Sequence, residues 1–233
     1  MDKYLAQTPL LNYSQQAIQQ LILEKNWQEG SNYHKIQEIY DFVRNEILFG
    51  YNKSDNLPAA QVLLDGYGQC NTKSTLFMAL LRAVGIPCCI QGFWIDKSVQ
   101  KGIVPAIVYT LAPKQILHTW VDVYYEGTWY SLEGLIVDAA YISRIQQKFT
   151  SHKGPFCGFG IAAPDLFQLE TDWKQCSTYI QKEAITEALG IFDSPDALYQ
   201  AYAQKLSCVK QLLYSHWIRH RMNKACQKIR TAP

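Results

Sequence analysis

The stretch whose reading decides the fold is 66-GYGQCNTKSTLFMALLRAVGIPCC-89. From Cys70 onward, Leu76, Phe77, Leu80, Leu81 and Val84 recur at helical spacing, which predicts an amphipathic helix. Gly85 stands where such a helix stops, and Ile86-Pro87 cannot continue it. Ahead of it, Asp65-Gly66-Tyr67-Gly68 is a loop signal that lets the backbone turn tightly. Cys70 therefore falls at a helix N-terminus, where unpaired N–H groups and the helix dipole favour an anion. A thiolate forms more readily there than in bulk water.

Working outward, the pattern alternates between helix and strand. Ala17, Ile18, Leu21 and Ile22 share one face of a short helix over 14–26, broken at Gly30-Ser31. Ile36, Ile39, Tyr40, Val43 and Ile47 mark a second. After the Cys70 helix, 88-CCIQGFWID-96 is expected to be a strand. A further strand is expected within 103–112, with Pro105 at an edge or bulge. The strongest β signal is 117-LHTWVDVYYEGTWYSLEGLIVD-138, two alternating aromatic segments around Glu126-Gly127. Residues 151–175 are irregular, Thr178 to Leu189 reads as helix, and Ser194-Pro195-Asp196 opens a long terminal helix. Helices, then strands, then helices give an α+β fold. The organisation expected is a core over 1–150, with N-terminal helices, and a covering loop and helical extension over 151–233 packed with it as one unit.

Composition narrows the function classes. At 48% hydrophobic and 18% charged residues, the chain is globular rather than disordered. The opening MDKYLAQTPLLNYSQQ lacks a basic region followed by an apolar run, and no run approaches the ~20 residues that span a bilayer. Seven cysteines without a CxxC pair suit a reduced, cytoplasmic setting, with Cys88 and Cys89 as packing residues. His152, Cys157 and Cys176 lack metal-ligand spacing, so neither a metal nor a cofactor is expected. Beyond Asp196 there are seven bases and no acid, within an overall charge of +2. Neutralisation of the acidic remainder accounts for that better than nucleic-acid binding, because aromatic stacking positions for nucleic acid are not apparent.

A nucleophilic thiol needs a base, and the base needs an orienting group. Of five histidines, only His118 lies in the strong β signal. If Glu126-Gly127 is a two-residue turn, Trp120 falls opposite Glu133 and His118 opposite Leu135. His118, Trp120 and Glu133 then share one face, with Glu133 diagonal to His118 at about 7–8 Å. Asp122 shares the face but lies about 13 Å along the strand, and Asp138 has the wrong parity.

These residues carry a resemblance. Gly66-Tyr-Gly-Gln-Cys70, the helix ending Leu81-Arg-Ala-Val-Gly85-Ile-Pro, His118-Thr-Trp-Val-Asp-Val and Trp129-Tyr-Ser-Leu-Glu133 resemble the transglutaminase-like superfamily core over roughly residues 35 to 140. That family is similar in layout to papain. The resemblance implies that Cys70 is the nucleophile, His118 the general base and then acid, and Glu133 the orienting acid, where the family usually has Asp. It also implies an enzyme acting on amide or carboxamide carbonyls of a protein or peptide substrate, by hydrolysis or acyl transfer. The alternatives are a binding module that uses the basic C-terminal helix, and a deamidase acting on a partner protein. Tyr51, in 49-FGYNKSDN-56, is the first candidate for a second oxyanion donor, and Gln69 another. Trp94 and Trp120 are candidates to line a substrate channel, and 154-GPFCGFGIAAPD-165 a candidate lid.

Overall fold

In the computed structural model, which describes residues 1–202 and 208–231, the chain begins with two helices, α1 (Gln16–Glu24) and α2 (Asn32–Asn45). Strand β1 (Leu48–Phe49) follows, then α3 (Ala59–Asp65), β2 (Tyr67–Gly68) and the Cys70 helix α4 (Cys70–Ala83). Ile86 N donates to Leu81 O and Gly85 N to Arg82 O, so the glycine, at φ +81°, ends α4 as its spacing requires.

Helix α4 is the hub of the fold rather than an amphipathic surface helix. Every residue from Cys70 to Arg82 is buried, and α2 and α3 cover what the sheet leaves open. Several of its buried polar side chains are anchored by hydrogen bonds to the main chain. Lys73 Nζ donates to Ile136 O (3.0 Å) and Arg44 O (3.2 Å), and Arg82 donates to Ala6 O, Cys88 O and Asp193 O.

The sheet holds β3 (Cys88–Asp96) beyond α4, then, after α5 (Ala106–Leu111), the hairpin β4 (Gln115–Tyr125) and β5 (Thr128–Leu132). The stretch 103–112 is thus helical, not a strand. Pro105 precedes its first turn, where a missing N–H is harmless. The hairpin has the expected register, from Tyr125 opposite Thr128 to Val121 opposite Leu132. Glu126 and Gly127, at φ +46° and +84°, form the two-residue turn whose twist suits a hairpin. Pairing ends at Leu132, so Glu133 emerges just past the strand.

The remainder wraps this core: α6 (Ala139–Lys148), the small hairpin β6 (Phe156–Gly158) and β7 (Ile161–Ala163), β8 (Ile185–Phe192), α7 (Pro195–Ala201), α8 (Cys208–Leu213) and α9 (Arg219–Arg230). A π-helical turn, Tyr214–Ile218, joins the last two. The sheet order is β5-β4-β3-β8, antiparallel throughout. Strand β8 overturns the helix expected over 178–189. The open edge of β3 offers its backbone a ladder, and that outweighs a weak local helical preference. The expected long helix from Pro195 also stops early, with Tyr202 extended; residues 203–207 lie outside the described part of the chain. Ser194 caps α7 as expected, accepting from Ala197 N. No described helix is long and apolar enough to cross a membrane.

Candidate active site

The nucleophile position is built by the loop and strand that precede α4. Gly68 brings the backbone so close that a Cβ there would stand 2.7 Å from Thr72 Oγ1 and 3.0 Å from Lys73 Cγ. Thr72 Oγ1 accepts from Gln69 N (3.1 Å) and donates to buried Asn52 Oδ1 (2.6 Å), pinning the helix entry. Cys70 is the first helical residue, 9% exposed, and lines a cleft of about 580 Å³. Its own N–H lies in the first turn, without an intrahelical partner. Asn71 Nδ2 donates to Leu117 O (3.2 Å), which ties the start of α4 to β4 one residue before His118.

His118 is fully buried, and its Nε2 lies 2.9 Å from Glu133 Oε1. Glu133 is also fully buried, and it accepts from the backbone N–H of Ile180 and of Gln181, each at 2.9 Å. Two backbone donors thus converge on one carboxylate and hold it in place beside the His118 ring. Burial alone would lower the His118 pKa. Charge and hydrogen-bonding interactions with Cys70, and then with Glu133, outweigh it and raise it from 6.5 to about 10. The imidazole is therefore cationic at neutral pH, between a sulfur and a carboxylate.

Neither aspartate joins this group. Asp122 accepts from Gln91 and from Ser131 Oγ (2.8 Å). Asp138 caps α6, accepting from Tyr141 N (2.9 Å) and Phe49 N (3.0 Å), and pairs with Arg230 at the far end of the chain. Burial raises the Asp138 pKa but the Arg230 guanidinium more than reverses it, so the carboxyl titrates below its ordinary value. The last base of the basic terminal helix is thus spent on an internal acid.

The other candidates are distributed unevenly. Tyr51 is buried, lines the cleft, and is held by Asn223 through both its backbone N–H (2.7 Å) and carbonyl (3.1 Å). Burial keeps its phenol neutral, with a pKa well above 10. Gln69 also lines the cleft, but its side chain is engaged: Nε2 donates to Asp55 Oδ1 (2.8 Å) and Oε1 accepts from Asn52 N (2.9 Å). It fastens the loop more than it serves a reacting atom. Trp94 and Trp120 are not among the cleft-lining residues. Trp120 packs on Phe93 with ring centroids 4.0 Å apart and on His118 at 6.4 Å, walling the imidazole from its sheet face. The segment 154–165 forms the packed β6–β7 hairpin. Its Phe159 N donates to Lys101 O, and its Gly160 O accepts from Gln181 Nε2 (2.6 Å). Cys88 and Cys89 are buried packing residues, their thiols pushed up by burial to about 11 and about 12.

Two parts of the site were not legible in the sequence. The amides that clasp Glu133 belong to a stretch read as helix, and main-chain donors leave no residue signature. The far wall of the cleft comes from the basic terminal helices, through Tyr214, Trp217, Ile218 and Met222. Their apolar spacing could have suggested a packed face. Among the described residues no group of three or more metal-ligating side chains converges.

Residues 21–134 match the model of the transglutaminase-like superfamily. No curated protein matches the chain. Among solved structures, one that is similar comes from Cytophaga hutchinsonii and carries a provisional designation as a cysteine protease. It is 17% identical with a TM-score of 0.44, over 57% of this chain and 42% of that one, so this chain spans less than half its length. Cys70, His118 and Glu133 all fall within the stretch that matches the transglutaminase-like superfamily model.

Proposed function

We propose that this protein is a cysteine enzyme that attacks amide or carboxamide carbonyls through a thioester. The observation that carries the reading is the buried Glu133 carboxylate. It is fixed by two backbone N–H groups 2.9 Å away and set 2.9 Å from the His118 ring, whose other neighbour is Cys70 at the head of a cleft. A passive core would have little use for a buried acid, a cationic imidazole and a thiol in sequence.

The Cys70 thiolate attacks the carbonyl carbon, and the developing oxyanion meets the Cys70 N–H at the helix start. Tyr51, neutral and at the cleft wall, is the second donor in this scheme. As the C–N bond breaks, His118 gives its proton to the leaving amine or ammonia, and a thioester remains on Cys70. His118, now neutral, takes a proton from the incoming nucleophile, which displaces the sulfur. Water gives the acid, by hydrolysis or deamidation; a primary amine gives a new amide. Glu133 keeps the imidazole oriented and balances its charge. A protein or peptide is the substrate class the family resemblance favours. The six described cysteines are all free, which suits a reducing compartment such as the cytoplasm.

Incubation with a glutamine-containing peptide tests the reaction. Release of ammonia that disappears in Cys70→Ala supports the reading, and incorporation of an added primary amine selects transfer over hydrolysis. A Cys70 that forms no covalent acyl adduct with any activated carbonyl compound would leave a binding module in its place.

A further inference from the structure

The cleft at Cys70 is lined by both polar and apolar side chains. Its lining includes polar Asp55, Gln69, Asn71 and Gln181, and apolar Phe49, Tyr51 and Met222, which share a buried cluster with Cys70. Two further segments add apolar side chains, the terminal one beside Lys210 and Gln211. Val104, Val108 and Leu111, from α5 and the turn before it, form one side. Leu213, Trp217 and Ile218, from the terminal helices, form the other.

Three of these six stand in solvent: Leu111 is 71% exposed, Leu213 51% and Trp217 48%. Large apolar side chains left wet on two separate segments, facing one groove, mark a surface that gains by being covered. The groove includes the nucleophile, so a substrate whose carbonyl reaches Cys70 can also cover this apolar lining. Its volume of about 580 Å³ is that of a pocket for a small organic group rather than a protein face. We propose that the acyl donor bears a sizeable apolar group on the carbonyl side, held between α5 and the terminal helices. This rests on Cys70 being the acylated nucleophile. The terminal extension thereby selects the substrate, through residues outside the family-matched stretch.

The test uses 4-nitrophenyl esters of acetate, octanoate and hemisuccinate with the full chain, following nitrophenolate release and locating the adduct on Cys70 by mass spectrometry. The thiolate forms the C–S bond as the C–O bond to nitrophenolate breaks. The octanoyl ester is expected to acylate Cys70 at least about tenfold faster than the acetyl ester, and hemisuccinate to be the slowest, since several methylenes become buried. Leu111→Lys and Trp217→Lys, both at exposed positions, are expected to bring the octanoyl-to-acetyl ratio towards one. Acylation of Cys70 at equal rates by acetyl and octanoyl esters in the unaltered protein would overturn the apolar-donor proposal while leaving the thiol chemistry standing. Failure of all three esters to modify Cys70 would remove both. A dimer that either lysine variant disperses, with the ester ratio unchanged, would assign the rim to a second copy of the chain and likewise overturn the proposal.

Discussion

At the scale of single residues, the geometry gives separate partners to the carboxylates that the hairpin register tells apart. Glu133 faces His118, whereas Asp138 faces Arg230. Replacing Glu133 with Gln is expected to slow turnover by roughly 10²–10⁴-fold, since the imidazole loses its counter-charge and its fixed orientation. Asp138→Asn is expected to spare the chemistry more but to lower stability by about 2–3 kcal/mol, because it strips a partly buried guanidinium of its charged partner. Turnover and denaturant midpoints of both variants check this. The titration of Asp138 has a defined sign: its folded pKa is depressed, so its contribution is present above the ordinary value of 3.8 and is lost as pH falls below it. Asp138→Asn should therefore flatten the acid side of the stability profile. For His118, raised to about 10, the active imidazolium persists through neutrality, and turnover should fall as pH climbs through about 10.

At the scale of elements, what could be read in advance depended on whether a segment carries its own instructions. The β4–β5 hairpin does: Glu126-Gly127 fixes the turn, the turn fixes the register, and the register places Glu133 beside His118. The helix α4 also does, with start and stop in its own residues, although its complete burial depends on neighbours far along the chain. Strand β8 does not. Its residues Ile185–Phe192 are mostly exposed, and only the waiting edge of β3 makes them a strand. The same holds for Ile180 and Gln181, which reach Glu133 through backbone N–H groups that their side chains do not announce. Gly68 is an element-scale test, because the entry to α4 leaves no room for a methyl group. Gly68→Ala should destabilise the fold by about 1–3 kcal/mol and lower turnover together, as Thr72 and the helix start shift. A melt and a rate on the same preparation would establish it.

At the scale of the whole molecule, we infer that the division expected at residue 150 does not separate two independent units. The later segment supplies β8 to the sheet, the amides that hold Glu133, and the Arg230 that answers Asp138. A chain ending at residue 150 leaves a buried carboxylate without its two donors and a sheet with an open edge. It is expected to lose cooperative unfolding, which a thermal melt with near-ultraviolet circular dichroism would reveal. The central claim nevertheless concerns one sulfur in that assembly, and alkylation against pH measures it most directly. With iodoacetamide, and modified positions mapped by mass spectrometry, Cys70 should react at pH 6 well faster than a free thiol of pKa about 8.5, while buried Cys88, Cys89 and Cys226 stay unmodified. His118→Ala should abolish that advantage. A Cys70 rate at pH 6 equal to or below the free-thiol rate, and indifferent to His118, would contradict the account.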